Sequence, residues 1–264
     1  MKTKILAEDD QILVCFKPAG LAVQSARPGE VDMVSELKNY LAASQKKQEP
    51  RKRGKTAPYL GLVHRLDQPV SGILVFAKTP GAAAALSRQA SGSDASENGA
   101  GKAACRNHME KEYRALVFVE EGAFLPEPGT ERALVDFLKK EPGQNLSRVV
   151  PAGTTGAKRA SLSFRTVEEA GEAENCYASL SVRLHTGRHH QIRVQLAHAG
   201  LPLLGDARYG SARSREASAR LGIRSICLCA CRLCFYHPVT GERMEFKTTE
   251  YPWTDILTRC GKAG

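Results

Sequence analysis

Asp67 is set in His64-Arg65-Leu66-Asp67-Gln68-Pro69-Val70-Ser71-Gly72, one acid behind a basic pair and ahead of a turn. Pro69 fixes its own φ and pushes Gln68 away from helix, while Gly72 accepts dihedrals closed to other residues, so the backbone can bend sharply after the acid. Such a loop can aim a carboxylate at a substrate; the plainer reading pairs Asp67 with Arg65 or uses it to cap the turn. A second group, Gly187-Arg188-His189-His190-Gln191-Ile192-Arg193, sets basic side chains where a helix is expected to begin. Unpaired amides there attract anions. Lys17, on the turn Lys17-Pro18-Ala19-Gly20, can meet a phosphate or be ordinary surface. The thiols in Cys227-x-Cys229-x-Cys231-x-x-Cys234 suggest a metal at first sight, but zinc ligands want a tight turn between them and none is written here.

The elements that must hold these residues follow from apolar periodicity. Ile73 to Ala77 is continuously apolar and reads as a buried strand, which places Asp67 on a loop anchored by core. Ile12 to Phe16, Lys111 to Val119, Leu162 to Val167, Ala178 to Leu184 and Ile226 to Phe235 read as further strands, with a hairpin at His237 to Phe246. In the strand at 226–235 the cysteines become small core side chains. Tyr113 stands near the start of its strand, where packing and base stacking are both open to it. Asp32 can cap a helix through about Ala43, and a second helix is expected from Gly187 to Gly200, with Arg188, His189 and His190 in its first turn. Residues 120–158 yield no functional assignment. Strands with interspersed helices and no regular βαβ alternation predict an α+β fold.

The chain has 264 residues, 42% hydrophobic and 25% charged, enough to bury a substantial core. Thirty-eight Lys and Arg against 28 Asp and Glu give +10, and the pI is near 9.3. That excess favours polyanionic partners, with nucleic acid first. No apolar run is long enough to span a membrane and the first residues lack an apolar signal segment, so the expected compartment is the cytoplasm, with reduced thiols. Two stretches read as loops: the basic run Lys46 to Lys55, and a flexible insertion at about 89–107, of which residues 89–104 contain no large apolar side chain.

Taken together, these stretches resemble the RluA family of pseudouridine synthases. His64-Arg65-Leu66-Asp67 with Ser71-Gly72, Lys111-x-Tyr113-x-Ala115, Gly187-Arg188-His189-His190-Gln191-Ile192-Arg193 and Gly200 through Gly210 match its motifs in family order. The Lys17 turn and the His237 hairpin complete the match from about residue 5 to 250. Val70, Gln195 and Cys229 depart from the usual family residues, and none alters the acid.

The resemblance implies one pseudouridine synthase catalytic domain over 1–264, with a mostly antiparallel mixed sheet flanked by helices and loops, and no separate N-terminal RNA-binding domain. It implies isomerisation of uridine to pseudouridine in ribosomal or transfer RNA, without metal or cofactor, by a protein expected to act as a monomer. Asp67 becomes the nucleophile, attacking either the uracil ring or the anomeric carbon. Tyr113 stacks on the target base, and Arg193 pairs with the acid and keeps it ionised. Arg65 fills the stack vacated by the flipped base, Arg188, His189 and Lys17 hold phosphates, His64 joins the RNA-binding set, and Leu228 packs under the base. Two rivals stand beside this reading: an RNA-binding protein on the same fold that no longer catalyses, and a carboxylate-dependent nucleotide hydrolase, which would need a second acid or a metal.

Overall fold

The computed structural model describes residues 1–25, 29–48, 57–91, 108–170, 176–254 and 256. Most of the basic run at 46–55 and of the insertion at 89–107 lies outside them. The described chain is α+β, with eleven strands and four helices, and its residues divide into two compact units: Met1–Met109 with Leu233–Lys247, and Glu110–Arg232 with the segment from Thr248 on.

In the first unit, β1 (Lys4–Glu8), β2 (Ile12–Lys17) and β4 (Ser71–Ala77) are consecutive antiparallel neighbours, and the short β3 (Gly61–Leu62) also pairs with β4. Every residue of β4 is buried, as its continuous apolar run requires of a strand covered on both faces. Helix α2 (Pro80–Ser91) lays Ala82 and Leu86 onto Ile12, Val14, Ile73 and Val75. Helix α1 (Met33–Gln48) is capped by Asp32, whose carboxylate accepts from the Ser35 N–H at 2.7 Å. It runs past the expected end near Ala43 and takes in Lys46 and Lys47.

In the second unit, β5 (Glu110–Phe118), β9 (Tyr177–Leu184), β8 (Lys158–Ala170), β6 (Arg132–Lys140) and β7 (Ser147–Val150) follow one another across an antiparallel sheet. Strand β10 (Leu228–Tyr236) gives residues 228–232 to this unit and 233–236 to the first, where β11 (Arg243–Lys247) pairs with it. Helices α3 (Gln191–His198) and α4 (Ala212–Arg220) belong to the second unit, and Val194 of α3 packs on Leu138 and Ala160. Strands β6 and β7 occupy the stretch that periodicity left unassigned.

Helix α3 is shorter than the sequence predicts. It begins at Gln191, behind His190 in the left-handed region at φ 54°, so Arg188, His189 and His190 precede its first turn and are not carried on it. The side chain of Gln191 folds back to accept from the Arg188 N–H (2.9 Å) and the Thr186 hydroxyl (2.8 Å). That loop closes on protein atoms.

Candidate active site

The antiparallel register of β2 and β4 sets Lys17 directly opposite Gly72, at the two strand ends that bracket the Asp67 loop. The Lys17 side chain is fully buried and its ammonium donates to three carbonyls, Leu21 at 2.6 Å, Gln68 at 2.9 Å and Pro18 at 3.0 Å. This corrects the sequence expectation for Lys17: with no exposed surface and three carbonyl partners, it ties two turns together and is not placed as a phosphate contact. Gly20, at φ +86°, donates its N–H to the Gln68 carbonyl (2.9 Å), and the Gln68 amide returns a bond to the Gly20 carbonyl (3.1 Å). A side chain at residue 20 would be strained at that φ.

Asp67 is half-buried on this clamped loop, and its carbonyl accepts from Val70 N–H at 3.0 Å to close the turn at Pro69. Burial pushes the Lys17 ammonium down to about 8, and the negative charge of Asp67 partly opposes that shift. Leu66 and Val70, on either side, are buried and anchor the loop, while Arg65, which precedes Leu66, is exposed. His64 is half-buried, with Nε2 facing the Val75 N–H at 3.4 Å.

In the second unit, β5 holds Tyr113 opposite Val182 with only 6% of its surface exposed. Lys111, two residues earlier on the same strand, is pushed down to about 8 by burial. Arg193, in the first turn of α3, is also buried. Its Nε and Nη2 donate to the two oxygens of Asp206, each at 2.8 Å, a bidentate pair that fixes the guanidinium plane. The same group lies over the Tyr209 ring at 5.0 Å. Asp206 further accepts from the Arg208 and Tyr209 N–H groups at 2.9 and 3.2 Å. Burial raises its carboxyl, but the Arg193 guanidinium and these amides outweigh burial and hold it below the usual carboxylate range. Sequence reading placed Asp206 in a motif and gave it no role; its signal was the Gly205-Asp206 turn thirteen residues after an arginine, and only the fold brings the two together.

His190 bonds through Nδ1 to the Tyr209 hydroxyl (2.8 Å) and stacks on His189, with ring centroids 3.7 Å apart. His189 meets the Ser147 hydroxyl at 2.8 Å through Nδ1 and Asn145 Oδ1 at 2.9 Å through Nε2. Both ring nitrogens are thus engaged with the turn at 145–147, and the expected phosphate contact at His189 is corrected to a brace for that turn. Arg188 is exposed and binds the Arg159 carbonyl through Nε alone (2.9 Å), so its terminal nitrogens stay available to a ligand. Leu228 is buried at the start of β10. Cys227, Cys229, Cys231 and Cys234 are buried free thiols on or beside that strand. Among the described residues no group of three or more His, Cys, Asp or Glu is placed to hold a metal ion.

Residues 11–198 match the sequence profile of the family described as RNA pseudouridylate synthase. The chain belongs to that family. It is 34% identical over 245 residues to ribosomal large subunit pseudouridine synthase D of Xanthomonas campestris pv. campestris, covering 90% of this chain and 63% of the relative. It is 32% identical over 256 residues to ribosomal large subunit pseudouridine synthase C of Yersinia pestis, covering 97% of this chain and 67% of the relative. The chain thus spans about two thirds of the length of these two family members. Among solved structures, human RNA pseudouridylate synthase domain containing 4 aligns at a TM-score of 0.64 with 20% identity, over 97% of this chain and 92% of the other. Human RNA pseudouridylate synthase domain containing 1 aligns at 0.63 with 19% identity, over 98% and 87%. Both share the family's fold. No helix among the described residues is long and apolar enough to cross a membrane.

Proposed function

We infer that the protein isomerises uridine to pseudouridine in RNA, with Asp67 as the nucleophile. The observation that carries this reading is the Asp67 loop itself: a half-buried carboxylate in the family's acid motif, with the next residue's carbonyl clamped by a fully buried ammonium. A nucleophile needs a fixed aim more than a strong field, and three carbonyl bonds from one lysine supply it. The reaction breaks the bond from uracil N1 to the sugar, turns the base, and forms a bond from C5 to the same sugar carbon. A proton leaves C5 and N1 regains one, so atoms and electrons balance without a redox partner.

In this reading Tyr113 stacks on the flipped base, and Arg193, held in plane by Asp206, is the third catalytic residue. Arg65 and Arg188 are the exposed cations that meet RNA. The reading takes residues 1–264 as one catalytic domain, because the chain returns to the first unit after building most of the second. The relatives' names favour large-subunit ribosomal RNA as the substrate. The reading also takes the protein as a cytoplasmic monomer.

The test is pseudouridine mapping of total cellular RNA in cells lacking the protein and in the same cells carrying wild type or Asp67→Ala. A site lost in the deletion and restored by wild type alone is the expected result. Three identical maps, with the protein expressed, would overturn the catalytic reading in favour of RNA binding without chemistry.

A further inference from the structure

The face of β6, β7 and β8 turned away from helix α3 has a composition unlike an ordinary sheet surface. Residues directly opposed in an antiparallel pair share one face. The register sets Phe137 of β6 opposite Val150 of β7 and Arg159 of β8. One row further, Lys139 opposes Arg148; one row back, Val135 opposes Ser161. The alternate residues Leu134, Leu138 and Ala160 point the other way and are buried, with Leu138 and Ala160 packed by Val194. On the outer face Val135 is 50% exposed, the Arg148 side chain is 64% exposed, Arg159 is exposed, and Phe137 and Lys139 are partly exposed. Glu141, 2.6 Å from Arg148, is an acid that meets this group.

An aromatic ring flanked by three cations on a sheet face matches what unpaired bases and their phosphates require. Rows lie about 7 Å apart along the strands, so a base seated on Phe137 has Lys139 and Arg148 one row away and Arg159 beside it. A base can stack on a side chain only if it is not already stacked in a helix, which selects single-stranded over duplex RNA. We propose that this face, centred on Phe137 with Lys139, Arg148 and Arg159, docks a single-stranded segment of the substrate RNA outside the target nucleotide. The proposal rests on the RNA-directed function inferred above and adds to it a contact surface and a strand preference.

The experiment uses the full chain and a fluorescein-labelled 20-nucleotide single-stranded RNA, with its duplex for comparison, read by fluorescence anisotropy over a salt series. Two variants test the face independently: Phe137→Ala, and the triple Lys139→Gln, Arg148→Gln, Arg159→Gln. A charge-matched control, Lys4→Gln with Lys38→Gln and Arg88→Gln, removes three exposed cations of the first unit. Thermal melting verifies that each protein is folded. Loss of stacking in Phe137→Ala is expected to weaken single-strand binding roughly 10-fold and leave duplex binding unchanged. The triple variant is expected to flatten the slope of log affinity against log salt by about 2, from roughly 0.7 per lost phosphate contact. Wild-type affinity and slope in both variants, or an equal loss in the control, would overturn the proposal. It also fails if Phe137→Ala binds RNA normally while the triple weakens RNA and a polyglutamate peptide alike, the signature of an acidic protein partner. Wild-type protein that binds neither RNA would instead refute the underlying RNA reading.

Discussion

Lys17→Met tests the clamp beneath Asp67. Methionine fills a similar volume without charge or donors, so the carbonyls of Pro18, Leu21 and Gln68 lose their partner. Each partner loss costs about 1–3 kcal/mol, or roughly 3–9 kcal/mol together. Against this stands relief of the buried charge: the shift of Lys17 from 10.5 to about 8 disfavours the ammonium by about 3 kcal/mol. The net destabilisation is therefore about 0–6 kcal/mol, and urea unfolding establishes that the variant is folded before its turnover is read. Its effect on turnover is separate, because a loop displaced by an ångström costs roughly 100-fold in rate.

The pH dependence separates the two effects. Between about 8 and 10.5 the unfolded chain holds the Lys17 proton and the folded chain does not, so wild-type stability gains on Lys17→Met as pH rises through that window, by up to about 3 kcal/mol. Activity moves the opposite way: a neutral amine has two protons for three carbonyls, and the wild-type rate should fall as pH passes about 8. Tritium release from [5-3H]uridine-labelled total cellular RNA gives the rate, and urea unfolding at pH 7 and pH 10 gives stability. Equal rates for variant and wild type, or a stability gap that does not widen with pH, would refute the clamp.

Asp206→Asn removes the bidentate carboxylate partner of the buried Arg193 and should destabilise the protein by about 3–5 kcal/mol, read by urea unfolding. Because the folded Asp206 carboxyl lies below its ordinary range, its stabilisation is present above that range and lost as pH falls through the folded value. The variant should lack that part of the acid limb; an unchanged limb would argue against the pair. Gly205→Ala places a Cβ 2.1 Å from the Ser225 carbonyl oxygen at φ +75°, and should cost about 3 kcal/mol or more. A urea midpoint equal to wild type would contradict that packing.

Strands with strong local patterns were legible before any fold was known. Ile73–Ala77 is apolar throughout because β4 is covered on both faces, and the cysteines of β10 read as core because that strand is buried as well. Strands β6 and β7 escaped notice because Asp136, Lys139, Lys140 and Arg148 interrupt their apolar positions; β6 is held by pairing with distant β8, which no short window contains, and β7 by pairing with β6. Helix α3 was seen but begun too early, since the left-handed His190 and the back-folded Gln191 side chain leave no periodic trace.

By itself, then, the sequence determined the α+β class, the position of the Asp67 loop between turn and strand, and, through its ordered motifs, the family. Tertiary structure decided what the cations do. Lys17 looked like a phosphate contact and is a buried clamp, His189 braces a turn, and Arg193 is oriented by an aspartate from another loop. The physical reason is range: turn and strand propensities act over a few residues, whereas the partner and solvation of a charge are set by whatever the register brings within about 3 Å of it.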